Sequence, residues 1–527
     1  MRTRFFPTLW LTSPQIAISS PCSDLRDRTQ SRRGDDMLGR AVSAVHNGIQ
    51  SELVYVEADV SSGFPRFSIV GLPDSAVNEA RLRIRSAFHN CSLPFPKGRI
   101  TVNLQPASLR KQGSGLDLAI AIAILRAEGM LVERKQTAFL AELGLDGSLV
   151  PAEATVGLAL RLAEAGIQEL YVAPGPPIPG PLASLMNIVA SSTLTQVVAQ
   201  LTNHPPVCAV PSRTSMDDKT SPQDSTIPFD MLDSLANRAF EKRLLAISAA
   251  GRHPLLFIGP PGVGKTTLSH RLIDLLPNLS EADALRSYAY HELVNPNAQF
   301  SLRPPLREPH HTLTPAGLTG SGSPPRPGEV TLADNGVLLL DECFEFSKAT
   351  LNALREPLTS GVIHVSRNGR TASLPARFLL VGTANPCPCG WRGYGECRCL
   401  EHDVRRYWSR CPGPLLDRID LIHYMNRVPD GTNNPLGSRD PVAFELRQAV
   451  SQARAILEPV DELDPIKQFQ PRAVSMLTHL CDKLCVTERV VVQTAKLART
   501  IAALDRRDEI RVEDVEEAFA LRSSARR

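Results

Sequence analysis

Apolar and polar residues alternate over Leu53–Val60 and Arg66–Val70, and both runs are rich in Val, Ile, Tyr and Phe, so they read as strands. The period then changes. Over Pro73–Cys91 the apolar positions Val77, Ala80, Ile84 and Phe88 fall three or four apart, which predicts a helix with one buried face. Arg99–Leu104 returns to strand, and Leu116–Arg126 is apolar almost all round, as a wholly buried helix is. Strands are expected on either side of the turn dipeptide Asp146-Gly147, then a helix over Ala152–Ala165 and a strand over Glu169–Val172. Strands and helices mix without a repeat, so residues 37–201 read as an α/β domain.

The pattern lapses over 202–228, a Pro-, Ser-, Thr- and Asp-rich linker. A second α/β segment spans 229–428, and Pro429–Pro441 is turn-rich. The tail, 442–527, carries only helical periodicity, over roughly 443–458, 471–484, 487–504 and 512–522. The first 36 residues hold Arg2 and Arg4 and a short apolar stretch broken by Pro7 and Pro14. They are expected to be disordered or upstream of a fold that begins near Met37.

Composition narrows the function classes. A length of 527 residues fits about three domains. Lys+Arg is 58 and Asp+Glu 55, so no basic footprint covers the whole chain and any nucleic-acid site must be local. Residues 37–200 balance at 13 basic and 13 acidic. The longest apolar run, Leu116–Leu125, is far short of the ~20 residues that span a bilayer, so no membrane partner is expected. Eleven cysteines, an odd count, fit reduced thiols in a cytoplasmic protein better than a disulfide scaffold.

The strongest chemical signal is Gly259-Pro260-Pro261-Gly262-Val263-Gly264-Lys265-Thr266, followed by Thr267. It fits G-x-x-x-x-G-K-[ST] and stands between an apolar strand, Leu255–Ile258, and an apolar-periodic helix, Thr267–Leu276. Glycines there let backbone N–H groups approach phosphates, and the helix N-terminus favours the negative charge. Lys265 is expected on the β- and γ-phosphates of ATP, and the Thr266 hydroxyl on Mg²⁺. A second apolar run, Gly336–Leu340, ends in Asp341 and Glu342. A carboxylate at the carboxyl end of a parallel strand sits where ligands bind. Asp341 is therefore expected to hold Mg²⁺ and Glu342 to polarise the attacking water. A third run, Arg377–Ala384, ends in Asn385, which would contact the γ-phosphate or orient that water.

These three elements in this order resemble the AAA+ ATPases. Further strings narrow the likeness: Gly71-Leu-Pro-Asp74, Arg99-Ile-Thr-Val-Asn-Leu104, Pro309-His-His-Thr312, Arg326-Pro-Gly-Glu329, Asn385-Pro-Cys-Pro-Cys-Gly390 and Gly413-Pro-Leu-Leu-Asp-Arg-Ile-Asp420. Together they resemble the magnesium-chelatase-like ATPases of the YifB/ComM type, from about Met37 to the C-terminus. The resemblance implies a Lon-protease-like N-terminal domain, an AAA+ core and a C-terminal helical lid. It also implies a homo-hexameric ring that hydrolyses ATP to move single-stranded or branched DNA in recombination or natural transformation. A protein remodeller and a metal-chelatase-type motor subunit are the alternatives. By the same likeness Arg418 matches the arginine finger that acts on a neighbour's ATP, and Arg489 matches the lid's sensor arginine. Read from the residues alone, Arg418 is an exposed arginine paired with Asp417 or Asp420, and Arg489 part of a solvated helix face. Gln493, where the family often has arginine, departs from the pattern.

Lon-type proteolysis needs a serine and a lysine. Aligned by eye, Gly115 stands at the nucleophile position with Ser114 one residue early. The lysine position falls near Val156, and no lysine lies between 136 and 200. The domain is therefore expected to be non-proteolytic. Cys387, Cys389, Cys397 and Cys399 form a C-x-C…C-x-C set suited to tetrahedral Zn²⁺, or four free thiols in a Gly-rich turn. Between Arg355 and Arg418 there are ten arginines, no lysine and five acids. Within this belt Gly361–Thr371 predicts a hairpin about Asn368-Gly369, whose Arg367 and Arg370 can meet DNA phosphates. His310 and His311 are adjacent, so on a regular element they would point apart.

Overall fold

Strand Leu38–Asn47 pairs antiparallel with Gln50–Ser61 along its whole length, Leu38 opposite Asp59 and Asn47 opposite Gln50. Its pattern was illegible because its inward positions Gly39, Ala41 and Ser43 are small. The reason is a close helix: a Cβ on Gly39 would lie 2.0 Å from the carbonyl oxygen of Ala123. The sheet order is Leu38–Asn47, Gln50–Ser61, Arg99–Gln105, Arg66–Val70, the last two parallel. In the computed structural model, residues 38–202, 238–322, 325–367, 370–426, 441–457, 468–484 and 488–523 are described. The leading extension, nearly all of the linker, the hairpin tip Asn368-Gly369 and the turn-rich stretch after 428 lie outside them.

Helix Asp117–Ala127 is buried at every position. Its one acid, Asp117, is held by Arg83 through two bonds of 2.6 and 3.0 Å, as a carboxylate taken out of water requires. Helix Ser75–Asn90 starts at Asp74, whose carboxylate accepts from Val77 N at 2.8 Å, so the Gly71–Asp74 string is a helix entry. Three parallel strands follow, Thr137–Leu140, Glu169–Val172 and Asn187–Ala190.

The first segment is packed against the second. Helix Thr155–Glu164 shares an apolar cluster with helix Glu281–Val294 of the following α/β segment, through Val156, Leu158, Leu285 and Tyr288. Ala154, which precedes the helix, has no side chain to cap it. Glu292 supplies the cap from the other segment, accepting from Val156 N at 3.0 Å. Such a cap stabilises a helix by about 0.5–2 kcal/mol.

The second segment is built on five parallel strands in the order Leu306–Arg307, Val337–Leu340, Leu379–Ala384, Leu255–Ile258, Leu421–Tyr424. The three inner strands are buried throughout, which is why they read as unbroken apolar runs. Helices Ala239–Gly251 and Lys265–Leu275 share a core with the C-terminal helices Pro441–Leu457, Pro471–Leu484, Glu488–Leu504 and Val512–Ser523. Val362–Arg367 and Arg370–Pro375 pair antiparallel with Arg367 opposite Arg370. Among the described residues no helix is long and apolar enough to cross a membrane.

Candidate nucleotide site

The strand that leads into Asn385 lies between the phosphate-loop strand and the strand that leads into Asp341. That order brings all three carboxyl ends to one edge, at the start of helix Lys265–Leu275. Gly262 and Gly264 have φ of 78° and 86°, and a Cβ on either would meet nothing within 4 Å. The loop thus needs glycine for its backbone turn, and it leaves open space beside its amides. At Gly259 the need is proximity, since a Cβ would lie 2.9 Å from Met425 O.

Lys265 Nζ donates to Gly259 O at 2.8 Å, Pro260 O at 3.0 Å and Asn385 Oδ1 at 3.1 Å. Burial lowers its pKa, and Asp341 and Glu342 oppose that shift. Thr266 Oγ1 donates to Asp341 Oδ1 at 2.9 Å. Lys265, Thr266, Asp341 and Asn385 therefore meet at one place. Val263 is buried, while Pro261 and Thr267 are exposed along the same loop and helix start. Arg238, just before helix Ala239–Gly251, donates to Val263 O at 2.7 Å and steadies the loop from outside.

Sequence reasoning missed Thr383. Its hydroxyl donates to Asp341 Oδ1 at 2.5 Å and accepts from Glu342 N at 3.0 Å. The signal was available: a buried threonine in the otherwise apolar run Leu379–Ala384 needs partners. Glu342 itself has φ 49°, left-handed for a residue with a side chain. Such a conformation costs of order 1–3 kcal/mol and turns the chain sharply after Asp341.

Arg418 and Arg489 stand together at a second place. Arg418 Nε donates to Thr359 Oγ1 at 3.0 Å and its Nη1 to Pro414 O at 2.6 Å. Its pKa is lowered by burial first and then by the neighbouring charges of Arg489 and Arg355, with Asp417 opposing. It lines an open pocket of about 430 Å³ with Arg355, Glu356, Asn352 and Thr359. Asp420 is not its partner; that carboxylate is engaged by His253 and Arg522.

The four cysteines converge. Sγ–Sγ distances are 3.4 Å for Cys387–Cys389, 3.7 Å for Cys387–Cys397 and 3.6 Å for Cys389–Cys397. All four sulfurs, Cys399 included, lie within 4.8 Å of one another. Cys389 N donates to Cys399 Sγ and Arg392 N to Cys387 Sγ. The loop abuts the phosphate loop: a Cβ on Gly390 would lie 2.7 Å from Pro261 Cδ. Nearby, Trp408 donates to Pro386 O at 3.1 Å and packs edge-on against Phe344, so it is a packing residue.

Two other sequence expectations meet the structure here. Gly115 faces Ala152 and Leu140, 3.1 and 3.5 Å from where its Cβ would be, while Ser114 donates to the Glu142 carboxylate. His310 and His311 lie outside any helix or strand, and their rings approach to 4.1 Å rather than pointing apart.

The parallel sheet, the glycine loop and the convergent lysine, threonine and aspartate define a P-loop nucleotide-binding α/β core. Comparison with known proteins carries this further. Three profiles match along the chain: magnesium chelatase, subunit ChlI, over residues 231–433; subunit ChlI of Mg-chelatase over 56–175; and the ChlI C-terminal region over 445–522. The chain is 36% identical over 493 residues to competence protein ComM of Haemophilus influenzae, covering 91% of this chain and 96% of that one. It is 34% identical over 505 residues to YifB of Escherichia coli, covering 92% and 97%. It is 26% identical over 302 residues to the chloroplastic magnesium-chelatase subunit ChlI of Oryza sativa, covering 50% and 66%. The chain belongs to the magnesium-chelatase-like family of ComM and YifB.

Proposed function

We propose that this protein is an AAA+ ATPase that works as a homo-hexameric ring and uses ATP hydrolysis to move DNA. The observation that carries the ATPase reading is the convergence of Lys265, Thr266, Asp341 and Asn385 beside an open glycine loop. The competence named for the Haemophilus relative points the motor at DNA. On this reading residues 37–201 are a non-proteolytic Lon-like domain and 442–527 a helical lid. The contact of Glu292 with Val156 supports a role for the first domain in assembly, because it ties that domain to the ATPase core.

The chemistry follows from the placement of the groups. Lys265 exchanges its carbonyl partners for the β- and γ-phosphate oxygens. Thr266 and Asp341 form a hard oxygen pair fit to hold Mg²⁺, which supplies charge neutralisation on the phosphates when bound. Glu342 takes the proton of the water attacking the γ-phosphorus, and Asn385 orients that water. Arg418 sits in its own open pocket beside Arg355 and Arg489, so it serves a neighbouring subunit's triphosphate. A finger of this kind is worth roughly 10³–10⁵ in kcat. Arg367 and Arg370, opposite each other at the end of the hairpin, are the proposed DNA-phosphate contacts.

The test is steady-state ATPase activity with and without single-stranded and branched DNA, alongside the mass in solution. DNA stimulation together with a six-subunit mass is expected. A flat DNA response in a protein that hydrolyses ATP overturns the DNA motor in favour of a protein remodeller or a chelatase-type motor.

A further inference from the structure

Arg418 is bracketed by two residues that other elements hold. Asp420, two residues on, is buried, and its two oxygens go to different parts of the chain. His253 Nδ1 lies 2.9 Å from Asp420 Oδ2, and since a carboxylate only accepts, the imidazole donates. Arg522 Nη1, on the last helix, lies 3.4 Å from Asp420 Oδ1. The same Nη1 donates to Gln493 Oε1 at 2.9 Å, and the Gln493 amide nitrogen reaches Asp417 O at 3.5 Å. His253 precedes the phosphate-loop strand by two residues and also meets Thr500 Oγ1 at 2.9 Å on helix Glu488–Leu504. A continuous polar chain therefore runs Asp417–Gln493–Arg522–Asp420–His253–Thr500, and it holds the backbone on both sides of Arg418 through Asp417 and Asp420.

We infer that Gln493, Arg522 and His253 are positioning residues for Arg418, a clamp by which the C-terminal helices and the base of the phosphate-loop strand set the aim of the guanidinium. Gln493, the departure from the family's arginines, takes part through its amide rather than through charge. The clamp grips Asp417 and Asp420 on either side of Arg418, so its loss is felt at the neighbour's phosphate site. This inference rests on the reading of Arg418 as an arginine finger acting across the ring.

Gln493 is half-buried and Arg522 is the link of the chain, so Gln493→Ala and Arg522→Met are the probing variants. Each is expected to lower kcat for ATP about 10- to 100-fold, the scale of a misplacement of about 1 Å, with KM and nucleotide affinity unchanged. Arg522→Lys is expected to recover most of the rate, because a single nitrogen serves both Asp420 and Gln493. In rings that mix Gln493→Ala with Glu342→Gln subunits, activity returns, since the intact phosphate site of the first borrows an intact clamp from the second. Unchanged kcat, a loss of nucleotide affinity in step with kcat, or no recovery in mixed rings overturns the clamp. Normal turnover in Arg418→Ala overturns the finger reading itself, and so separates the two failures.

Discussion

Thr383 Oγ1 donates to Asp341 Oδ1 at 2.5 Å while accepting from Glu342 N, so one hydroxyl fixes both acids of the site. Thr383→Val keeps the shape and removes the hydroxyl. It leaves Glu342 N without its partner, a loss of about 1–3 kcal/mol, and frees Asp341 to turn. We expect kcat to fall about 5- to 160-fold, the same range expressed as a rate, and the Mg²⁺ concentration for half activation to rise. Thr383→Ser should restore both. An Mg²⁺ titration of the ATPase rate checks this; an unchanged profile in Thr383→Val would remove the residue from the site.

Lys265→Ala should abolish ATP binding, because its ammonium is the charge that reaches Gly259 O, Pro260 O and Asn385 where the phosphates are expected. Glu342→Gln should bind ATP normally and not hydrolyse it. Equilibrium binding with a fluorescent ATP analogue separates the two. Equal affinities in Lys265→Ala and the unaltered protein would refute the loop assignment.

Arg418→Ala should leave ATP affinity intact and stop turnover in the assembled ring, by roughly 10³-fold or more. Mixed with Glu342→Gln subunits it should regain activity, since each supplies what the other lacks. Rates measured across mixing ratios decide it. A simple decline in proportion to either variant would show that Arg418 acts within its own subunit.

Much of this was legible in the sequence, for identifiable physical reasons. The inner strands are buried on both faces and so stand out as apolar runs, and Glu169–Val172 fell where the pattern put it. The four C-terminal helices emerged within a few residues, three of them because their apolar positions keep to one face. Leu38–Asn47 was hidden because close helix packing there selects Gly, Ala and Ser over the residues that mark strands. The phosphate loop was legible because its chemistry is local in sequence. Thr383 and the Asp420 clamp were not, because their links join residues 29 to 247 apart.

His46 should make the first α/β segment sensitive to acid. Its Nε2 meets Ala154 O at 3.0 Å beside the helix that Glu292 caps, and burial lowers its pKa below 6.5, with backbone hydrogen bonds opposing. A lowered folded pKa means the unfolded chain takes up a proton first as pH falls. The neutral ring's contribution is thus fully present above about pH 6.5 and lost as pH falls through the folded value. Thermal midpoints between pH 7.5 and 5.5 should drop more in the unaltered protein than in His46→Gln. Parallel curves would remove His46 from the acid response.

The cysteine cluster makes the last prediction. A tetrahedral site with Zn–S of about 2.3 Å sets its sulfurs about 3.8 Å apart, and the pairs at 3.4, 3.6 and 3.7 Å already approach that spacing. Backbone N–H groups of Cys389 and Arg392 point at two of the sulfurs, as thiolate ligands require. We therefore expect the reduced protein to carry about one zinc per chain, measurable by elemental analysis, and Cys397→Ser with Cys399→Ser to carry none. Because Gly390 rests on Pro261 and Asn385 precedes Cys387 by two residues, removing the metal should also loosen the phosphate loop. ATP affinity should then fall in the double variant. A metal-free protein with unchanged ATP affinity in the double variant would reduce the four cysteines to free thiols in a tight turn.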